Sequence, residues 1–554
     1  LSYNTKTSTH THTHTHTQTN MPVPQWHRAK ETMGATSWFL LRRAKARSNR
    51  LPVKFNIAAK VGVPAKPQKE YARDLRRDIL GPLIDAHIPV VPDGSRQNLL
   101  SAFDKRCNYH SAKRVDPEVI AASLKLLDHL APERWDPLVH DRALFEEWNA
   151  QFPDAKRQRH VRAYAHVAEL TSKQFSDKQI FVKVEALLKR HDPRWAPRII
   201  YQSSDLHNVV LGPVMWKCTK RMFSAMEFTP GKTSFMGAYA KDSEHLVERI
   251  HRHGTKDSVY LESDFSSNDM TQLEDVHLLE MLWLQRFGAP TWITALMHVA
   301  NKFKATSHKH KVRATVRNQL PTGAQSTTFR NSLWNASIYS CFAMRMGVAS
   351  DTLLLGDDNL SRIDEACTFK RQALRRAFEH VCRLAGMQVT VKINKHLSEC
   401  EFLSKHFIPV GSSFVMAPKL GKAIARFNVR ATSNEAVPDR EYIAGKALSY
   451  AYEFRHVPLI SHLFLVKYAL ADIPNPSFDS LGWNARGAFL RHGIDGVISR
   501  IESCLTATYD DVTVFYYTRY NLHAFEVKRV VAKVLFGDHH LQQGEFGNLH
   551  VDFV

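Results

Sequence analysis

At 554 residues, with 44% hydrophobic content and ten tryptophans, the chain can bury a sizeable core, which excludes a disordered protein. Its 75 Lys+Arg against 54 Asp+Glu give a formal net charge of +21, an excess that suits a partner made of phosphates, although a generally basic protein has the same balance. Cys107, Cys218, Cys341, Cys367, Cys382, Cys400 and Cys504 show no C-x-x-C spacing and read as reduced thiols of an intracellular chain; no apolar run approaches the roughly 18 residues of a membrane span.

Residues 1–20 carry a threonine–histidine repeat with little to bury, so disorder is expected there, with weak metal binding by alternating histidines as the lesser reading. No apolar segment follows a basic one in the manner of a signal peptide. The chain starts at Leu1 and has its first methionine at Met21, as a fragment, a cleavage product or an upstream-extended frame would. Residues 21–70 are basic, including RRAKARSNR (42–50), and read as an RNA-touching arm or a solvated flank. From about 71 to 240 the pattern is mostly helical and broken by prolines. From about 245 to 410 strands and helices alternate, and beyond 410 helices dominate again.

The middle segment has a definite order. SVYLESDF (258–265) reads as a strand, and a helix follows over Leu273 to Phe287. A helix after PTGAQ places Trp334, Ile338, Cys341 and Phe342 at helical spacing. TLLLGDDNLSRI (352–363) reads as two short strands around a tight turn. Leu374, Phe378, Val381 and Leu384 then share one helix face, with Gly386 as C-cap. Met387, Val389, Val391 and Ile393 alternate as in a half-buried strand. This layout predicts a split βαβ sheet with helices behind it, able to bring distant strand ends together.

Carboxylates stand where such ends would meet. An Asp-rich hairpin turn is by itself an ordinary solvated feature. Asp357 and Asp358, however, directly follow an apolar β-rich run, where paired negative charges are costly unless cations neutralise them. Asp264 closes the strand VYLESD and begins D-x-x-x-x-D, which ends at Asp269. Carboxylates from two neighbouring strands suit a pair of hard cations that clamp an in-line phosphoryl transfer. In TGAQSTTFRN (322–331), Gly323 permits a tight turn close to a ligand. Thr327 and Asn331 lie four apart on one helix face, where polar groups together with Asp269 suit a ribose hydroxyl. A glycine turn with an N-cap is the plain structural alternative.

The ordered set D-x4-D, T-G-x3-T-x3-N and GDD resembles motifs A, B and C of viral RNA-dependent RNA polymerases. FVKVEALLKR (181–190) and APRIIYQSSDLHNVVLGP (196–213) resemble motif F, in the form seen in tombusvirus-like and related positive-strand viruses. By that resemblance Lys183, Arg198 and Lys189 would grip the triphosphate, and cations are what a phosphate channel requires. Gly386 to Lys395 resembles motif D, whose lysine protonates the leaving pyrophosphate. Lys392 and Lys395 compete for that role, and Lys395, which follows the strand, is the one assigned. CEFLSKHF (400–407) resembles the primer-gripping motif E, with Lys405 as an RNA contact. Members of the family often carry Ser before the motif B glycine; Thr322 keeps the hydroxyl.

The resemblance spans roughly 180–410 and implies an α+β right-hand fold. Its parts would be fingers at 71–244, a palm at 245–410 with an antiparallel split βαβ sheet, a fingers insertion near 285–320, and a helical thumb at 411–554. It implies Asp264, Asp357 and Asp358 as ligands of Mg2+, with Mn2+ as the alternative. The implied partners are template and nascent RNA, ribonucleoside triphosphates, and host or viral replication proteins. The implied location is the host cytoplasm, at membrane-associated replication complexes. The basic stretch KFKATSHKHKVR (302–313) reads as a template contact or a solvated hairpin. Two other readings stand beside this one. A reverse transcriptase shares the two-metal palm, but Asp269 with Asn331 suits a 2′-hydroxyl. A non-enzymatic RNA-binding viral protein would have no use for three clustered carboxylates.

Overall fold

The computed structural model describes residues 89–107, 114–188, 196–227, 233–252, 254–272, 274–364, 370–427, 429–430, 437–477, 480–504, 510–536 and 547–552, with the strand pairs 56–57 and 77–78. The Thr–His repeat, the basic stretch 42–50 and Lys189 lie outside these residues.

In chain order the strands are β1 (Asn56–Ile57), β2 (Arg77–Asp78), β3 (Lys178–Val182), β4 (Ile199–Gln202) and β5 (Thr233–Gly237). Next come β6 (Val259–Phe265), β7 (Lys302–Ser307), β8 (Val312–Arg317), β9 (Ser350–Leu355) and β10 (Asp358–Ile363). The last are β11 (Val389–Asn394), β12 (Glu401–Phe402), β13 (Lys405–Val410), β14 (Ser413–Pro418) and β15 (Val429–Arg430).

The expected split sheet is present, in the order β11-β6-β10-β9-β5. β6 runs antiparallel to both β10 and β11, and β9 and β10 form the hairpin read from the sequence. Of the seven residues of β6 only Asp264 is exposed, so the strand is an apolar stem that delivers one carboxylate to the surface. Helix Thr327–Met346 lies behind the sheet and is buried at every position from Phe329 to Ala343. Helix Arg371–Leu384 is amphipathic, with Leu374, Phe378, Val381 and Cys382 inward, and leads through Gly386 into β11.

Two features depart from the expected division. β5, which falls inside the segment assigned to the fingers, joins the edge of this sheet by pairing parallel to β9. Helices between 117 and 227 also share one apolar core with the sheet and with helix Thr327–Met346, so the stretch before 245 is not a separate unit. Ser337 Oγ, for instance, donates to Ser123 Oγ at 2.8 Å.

The region before 240 is also less helical than read, since β3 and β4 belong to a second sheet, β1-β8-β7-β3-β4. One face of that sheet packs on Leu99, Leu100 and Phe103 of helix Arg96–Cys107. β12, β13 and β14 form a third sheet, and the helices from Leu420 onward build a core of their own around residues such as Leu448, Phe464 and Tyr520. No helix among the described residues is long and apolar enough to cross a membrane.

Candidate active site

Strand register brings the carboxylates together. β10 faces β6 with Asn359 opposite Ser263, so one further step puts Asp358 beside Asp264. Asp357 occupies the turn between β9 and β10, made possible by Gly356 at φ +65°. All three side chains reach the surface at the same end of the sheet. The surrounding protein raises the Asp357 carboxyl, and the charges of Asp269 and Asp264 raise it further while Arg198 opposes them. Although it reaches the surface, Asp358 is screened from much of the solvent by the surrounding protein, which pushes it up to about 7, with Asp357 and Asp264 adding to the effect and Lys419 opposing it. Like charges that cannot all ionise together create a demand for a cation. Among the described residues no three such ligands are gathered tightly enough, as they stand, to hold an ion; the aspartates would have to rotate toward a common point. Their chemistry, oxygen donors only on adjacent strand tips, fits a hard divalent ion such as Mg2+.

The turn is held from behind. Asn335 shares its side-chain amide among the carbonyls of Gly356 (3.3 Å), Asp357 (3.2 Å) and Asp358 (3.4 Å). Its own oxygen accepts from Asn359 Nδ2 at 2.7 Å, and Asn359 in turn accepts from Ser263 Oγ at 2.9 Å. Ser332 Oγ accepts from the Gly356 N–H at 2.8 Å. Helix Thr327–Met346 therefore fixes the carboxylate turn through its backbone. Ser332 and Asn335 went unnoticed in the sequence, where the only signal was a polar residue every third or fourth position on an otherwise apolar helix.

Asp269 and Asn331 do meet, with Asn331 Nδ2 donating to Asp269 Oδ1 at 2.9 Å. Thr322 Oγ1 donates to the other Asp269 oxygen at 2.6 Å, so the hydroxyl before Gly323 has a structural use. Gln272 Nε2 donates to Asn331 Oδ1 at 2.6 Å, and buried Arg330 supports Gln272 through its side-chain and backbone oxygens. Gly323 has φ +92° and lies against the carbonyl of Tyr201, whose N–H bonds the Thr322 carbonyl at 3.2 Å. Thr327 Oγ1 is turned back onto the Ala324 carbonyl at 2.9 Å.

Arg198 and Lys183 stand at the adjoining ends of β4 and β3, joined by the bond from the Lys183 N–H to the Arg198 carbonyl at 2.8 Å. Both reach Glu185: Arg198 through Nε at 2.6 Å and through Nη2, and Lys183 through Nζ at 3.2 Å. Burial works against the charge of Glu185, but Arg198 and Lys183 more than offset it and hold the carboxyl below its usual range. Arg198 also feels Asp357 and Asp269, so this cation pair lies beside the aspartates. Glu185 was missed because nothing in its spacing marks it as the partner of a residue thirteen positions on.

Two assignments fare differently. Thr390 faces Asp264 across β11 and β6, and Lys395 follows five positions later, beyond the end of the strand. At about 3.3 Å per residue that is roughly 16 Å from the carboxylate end. β11 runs antiparallel to β6, so the end that follows the strand points away from the strand tip; Lys392, opposite Glu262, is the nearer lysine. Lys405 pairs with Glu453 at 2.8 Å and donates to Ser243 Oγ at 3.3 Å, so its charge is already matched inside the protein. A cation the sequence did not suggest, Lys419, lies near Asp358 while paired with Glu401.

Residues 63–468 match a family model described as RNA dependent RNA polymerase. No curated protein matches the chain.

Proposed function

Because the chain belongs to the RNA-dependent RNA polymerase family of positive-strand RNA viruses, and is therefore an RNA-directed nucleotidyltransferase, we propose that it replicates a viral genome by two-metal nucleotidyl transfer centred on Asp264, Asp357 and Asp358. The family assignment sets aside the non-enzymatic and reverse-transcribing alternatives. The observation that carries the reading is the β6–β10 register, which puts carboxylates nearly a hundred positions apart at one sheet end, where they raise one another's affinity for positive charge.

In this reading the three aspartates hold two divalent cations, Mg2+ or alternatively Mn2+. When bound, such ions lower the pKa of a 3′-hydroxyl and neutralise the departing pyrophosphate. Ser332 and Asn335 keep the turn in place, so little reorganisation is needed at the moment of reaction. Arg198 and Lys183 bind the triphosphate in exchange for Glu185, with Arg198 suited to a two-pronged contact. Asp269 and Asn331, pre-aligned by Thr322 and Gln272, accept and donate to the ribose 2′-hydroxyl. Gly323 and Thr327 form the close-approach turn beside them. Lys392, rather than Lys395, is the better placed donor of a proton to the pyrophosphate.

We read the architecture as a right hand. The sheet β11-β6-β10-β9-β5 is the palm, starting near 233 rather than 245. The sheet containing β7 and β8 is fingers together with the helices before it, and the helices after 420 are the thumb. RNA template, nascent RNA and ribonucleoside triphosphates are the partners, with host or viral replication proteins at cytoplasmic, membrane-associated complexes.

The test is synthesis by the purified protein on a short template with Mg2+ and four ribonucleotides. Asp264→Ala and Asp357→Ala should each abolish product while RNA binding persists. Near-normal turnover in either variant would sink the assignment.

A further inference from the structure

A second cluster of ionisable side chains shares no residue with the carboxylate site. Helix Ser243–His251 buries Leu246, Val247 and Ile250 beside the sheet and leaves Glu244 exposed. Arg455 and His456 occupy the short link between helices Asp439–Glu453 and Pro458–Ala471. Both converge on Glu244: His456 Nε2 lies 3.1 Å from Oε1, and Arg455 Nη2 donates to the same oxygen. Cys504 is the last residue of helix Trp483–Cys504, and its thiol shares a hydrogen bond with the His456 ring. Thiol, imidazole and carboxylate are therefore joined in a row, with a guanidinium at the side.

This setting separates Cys504 from the other thiols. The bond to His456 is the strongest influence on its sulfur and, with the charges of His456 and Arg455, holds the thiol below its ordinary range; burial opposes them. A helix C-terminus also disfavours an anion, so the two cations alone account for the lowering. Burial works against the charge of His456, but its bonds to Cys504 and Glu244 outweigh it and raise the imidazole. Cys218, Cys341, Cys382 and Cys400 are buried, and burial pushes each of them up, Cys218 to about 12 and Cys341 to about 11. Cys504 is half-buried, and Glu502 and Ser503 before it are exposed. A thiolate held by an imidazolium within reach of solvent attacks electrophilic sulfur, whereas buried thiols are inert.

We propose that Cys504 is a thiol–disulfide exchange site whose reactant is a small disulfide bearing carboxylates, of the class of glutathione disulfide. The Cys504 sulfur attacks one sulfur of the reactant. A new S–S bond forms to Cys504, the old one breaks, and the other half leaves as a thiolate that takes a proton from water. The proton given up by Cys504 stays on His456. Arg455 and His456, with exposed Arg500 one helical turn back, favour a carboxylate-bearing reactant over a cationic one. In the product the Cys504 sulfur is neutral, and the carboxylates of the adduct compete with Glu244 for Arg455. The clasp between Glu244 and the link at 455–456 loosens as a result. The inference does not depend on the roles given to the aspartates.

The experiment uses the reduced full chain in a Cys107→Ser/Cys367→Ser background, so that only the five compared thiols remain. It is incubated with glutathione disulfide between pH 5.5 and 9, and each cysteine is followed by peptide-resolved mass spectrometry. At pH 7 Cys504 should form the mixed disulfide about fivefold or more faster than a free cysteine peptide, because an ordinary thiol is mostly protonated there and lower basicity cancels only part of the gain. Its rate should also level off at lower pH than that of the peptide. His456→Gln should return both rate and profile to those of the peptide. Cystamine, a dication, should react more slowly with Cys504 than glutathione disulfide does, each scaled to the peptide. After adduct formation the segments carrying Glu244 and Arg455 should exchange amide hydrogens faster, and reduction should reverse this. A Cys504 rate no greater than that of the peptide, or equal labelling of the buried cysteines in folded protein, overturns the proposal. So does a folded His456→Gln variant with the wild-type profile, or a preference for cystamine. Hydrogen exchange unmoved by the adduct overturns the loosening of the clasp. The wild-type profile and the cystamine comparison decide the matter even if His456→Gln does not fold.

Discussion

Asp269 is held by two donors at once, Thr322 and Asn331, and this shows how much of the site depends on residues that are already satisfied before any ligand arrives. Arg198 is in the same position, because its guanidinium is matched by Glu185, and under the proposed function a triphosphate would replace that carboxylate. Arg198→Ala should raise the apparent KM for ribonucleotides about tenfold or more with a smaller effect on kcat, since a charge-assisted contact made in the ground state is lost. Steady-state extension assays over a nucleotide series would read this, and an unchanged KM would remove Arg198 from the triphosphate site. A second residue makes stability depend on pH. Burial, with Arg426 adding to it, holds the Lys446 ammonium down at about 7. Its nitrogen donates to the carbonyls of Arg426 (2.6 Å) and Val429 (2.8 Å), two bonds that a neutral amine can still make. The unfolded chain binds the extra proton up to the ordinary lysine pKa near 10.5, so between about 7 and 10.5 this residue makes stability rise with pH; below 7 its full cost remains. Thermal melts of Lys446→Met from pH 7 to 9.5 should show a flatter slope than wild type, and parallel slopes would reject the assignment.

At the scale of elements, the β9–β10 hairpin is fastened at both ends. At the turn, Asn335 and Ser332 hold the backbone that carries Asp357 and Asp358. Neither touches a reacting atom, so Asn335→Ala should act through position. We expect kcat to fall about tenfold or more with the KM for nucleotide nearly unchanged, the equivalent of one buried hydrogen-bonded group. A fall in kcat/KM that came entirely from KM would contradict this. At the other end, fully buried Arg362 stands opposite Asp351 in the register, bonds its carboxylate, and also reaches Asp364 (2.9 Å) and the Ile250 carbonyl (2.9 Å). Arg249 keeps Asp351 paired at 2.9 Å when Arg362 is removed, so Arg362→Ala should cost about 1–3 kcal/mol in denaturant unfolding, as expected for lost buried charge-assisted bonds. A loss below about 1 kcal/mol would mean the network is not closed to water. β6, the hairpin and β11 were legible because their apolar alternation is local. β5 was not, because its strand partner β9 lies more than a hundred positions downstream and short apolar runs look alike until a sheet edge receives them.

For the molecule as a whole, the excess of cations is an expectation about affinity rather than fold. RNA binding should weaken steeply as salt rises and differ little between two unrelated sequences of equal length, as measured by anisotropy. A strong sequence preference at moderate salt would point instead to base readout. The helices were legible in the sequence, but their grouping into cores was not. Helices before 227 merge with the site sheet in one core, whereas the helices after 420 enclose a core of their own. Burial on both sides of a helix, as in Thr327–Met346, where Ser332, Asn335 and Ser337 are as buried as the apolar residues, means that polarity does not tell which face meets which neighbour.

Sequence alone determined the candidate residues and their order: three aspartates, a glycine turn before a polar helix face, and two cations upstream. Those signals are local, since a strand that ends in Asp or a turn that contains Gly is written within a few adjacent residues. Only the tertiary structure decided which side chains meet. It put Glu185 between Arg198 and Lys183, set Asn335 under the turn, matched Lys405 with Glu453, and carried Lys395 away from the carboxylates while leaving Lys392 nearer. The physical reason is that strand direction and register, fixed by pairing between distant segments, decide which end of a strand a residue occupies, and no short stretch of sequence encodes that partner.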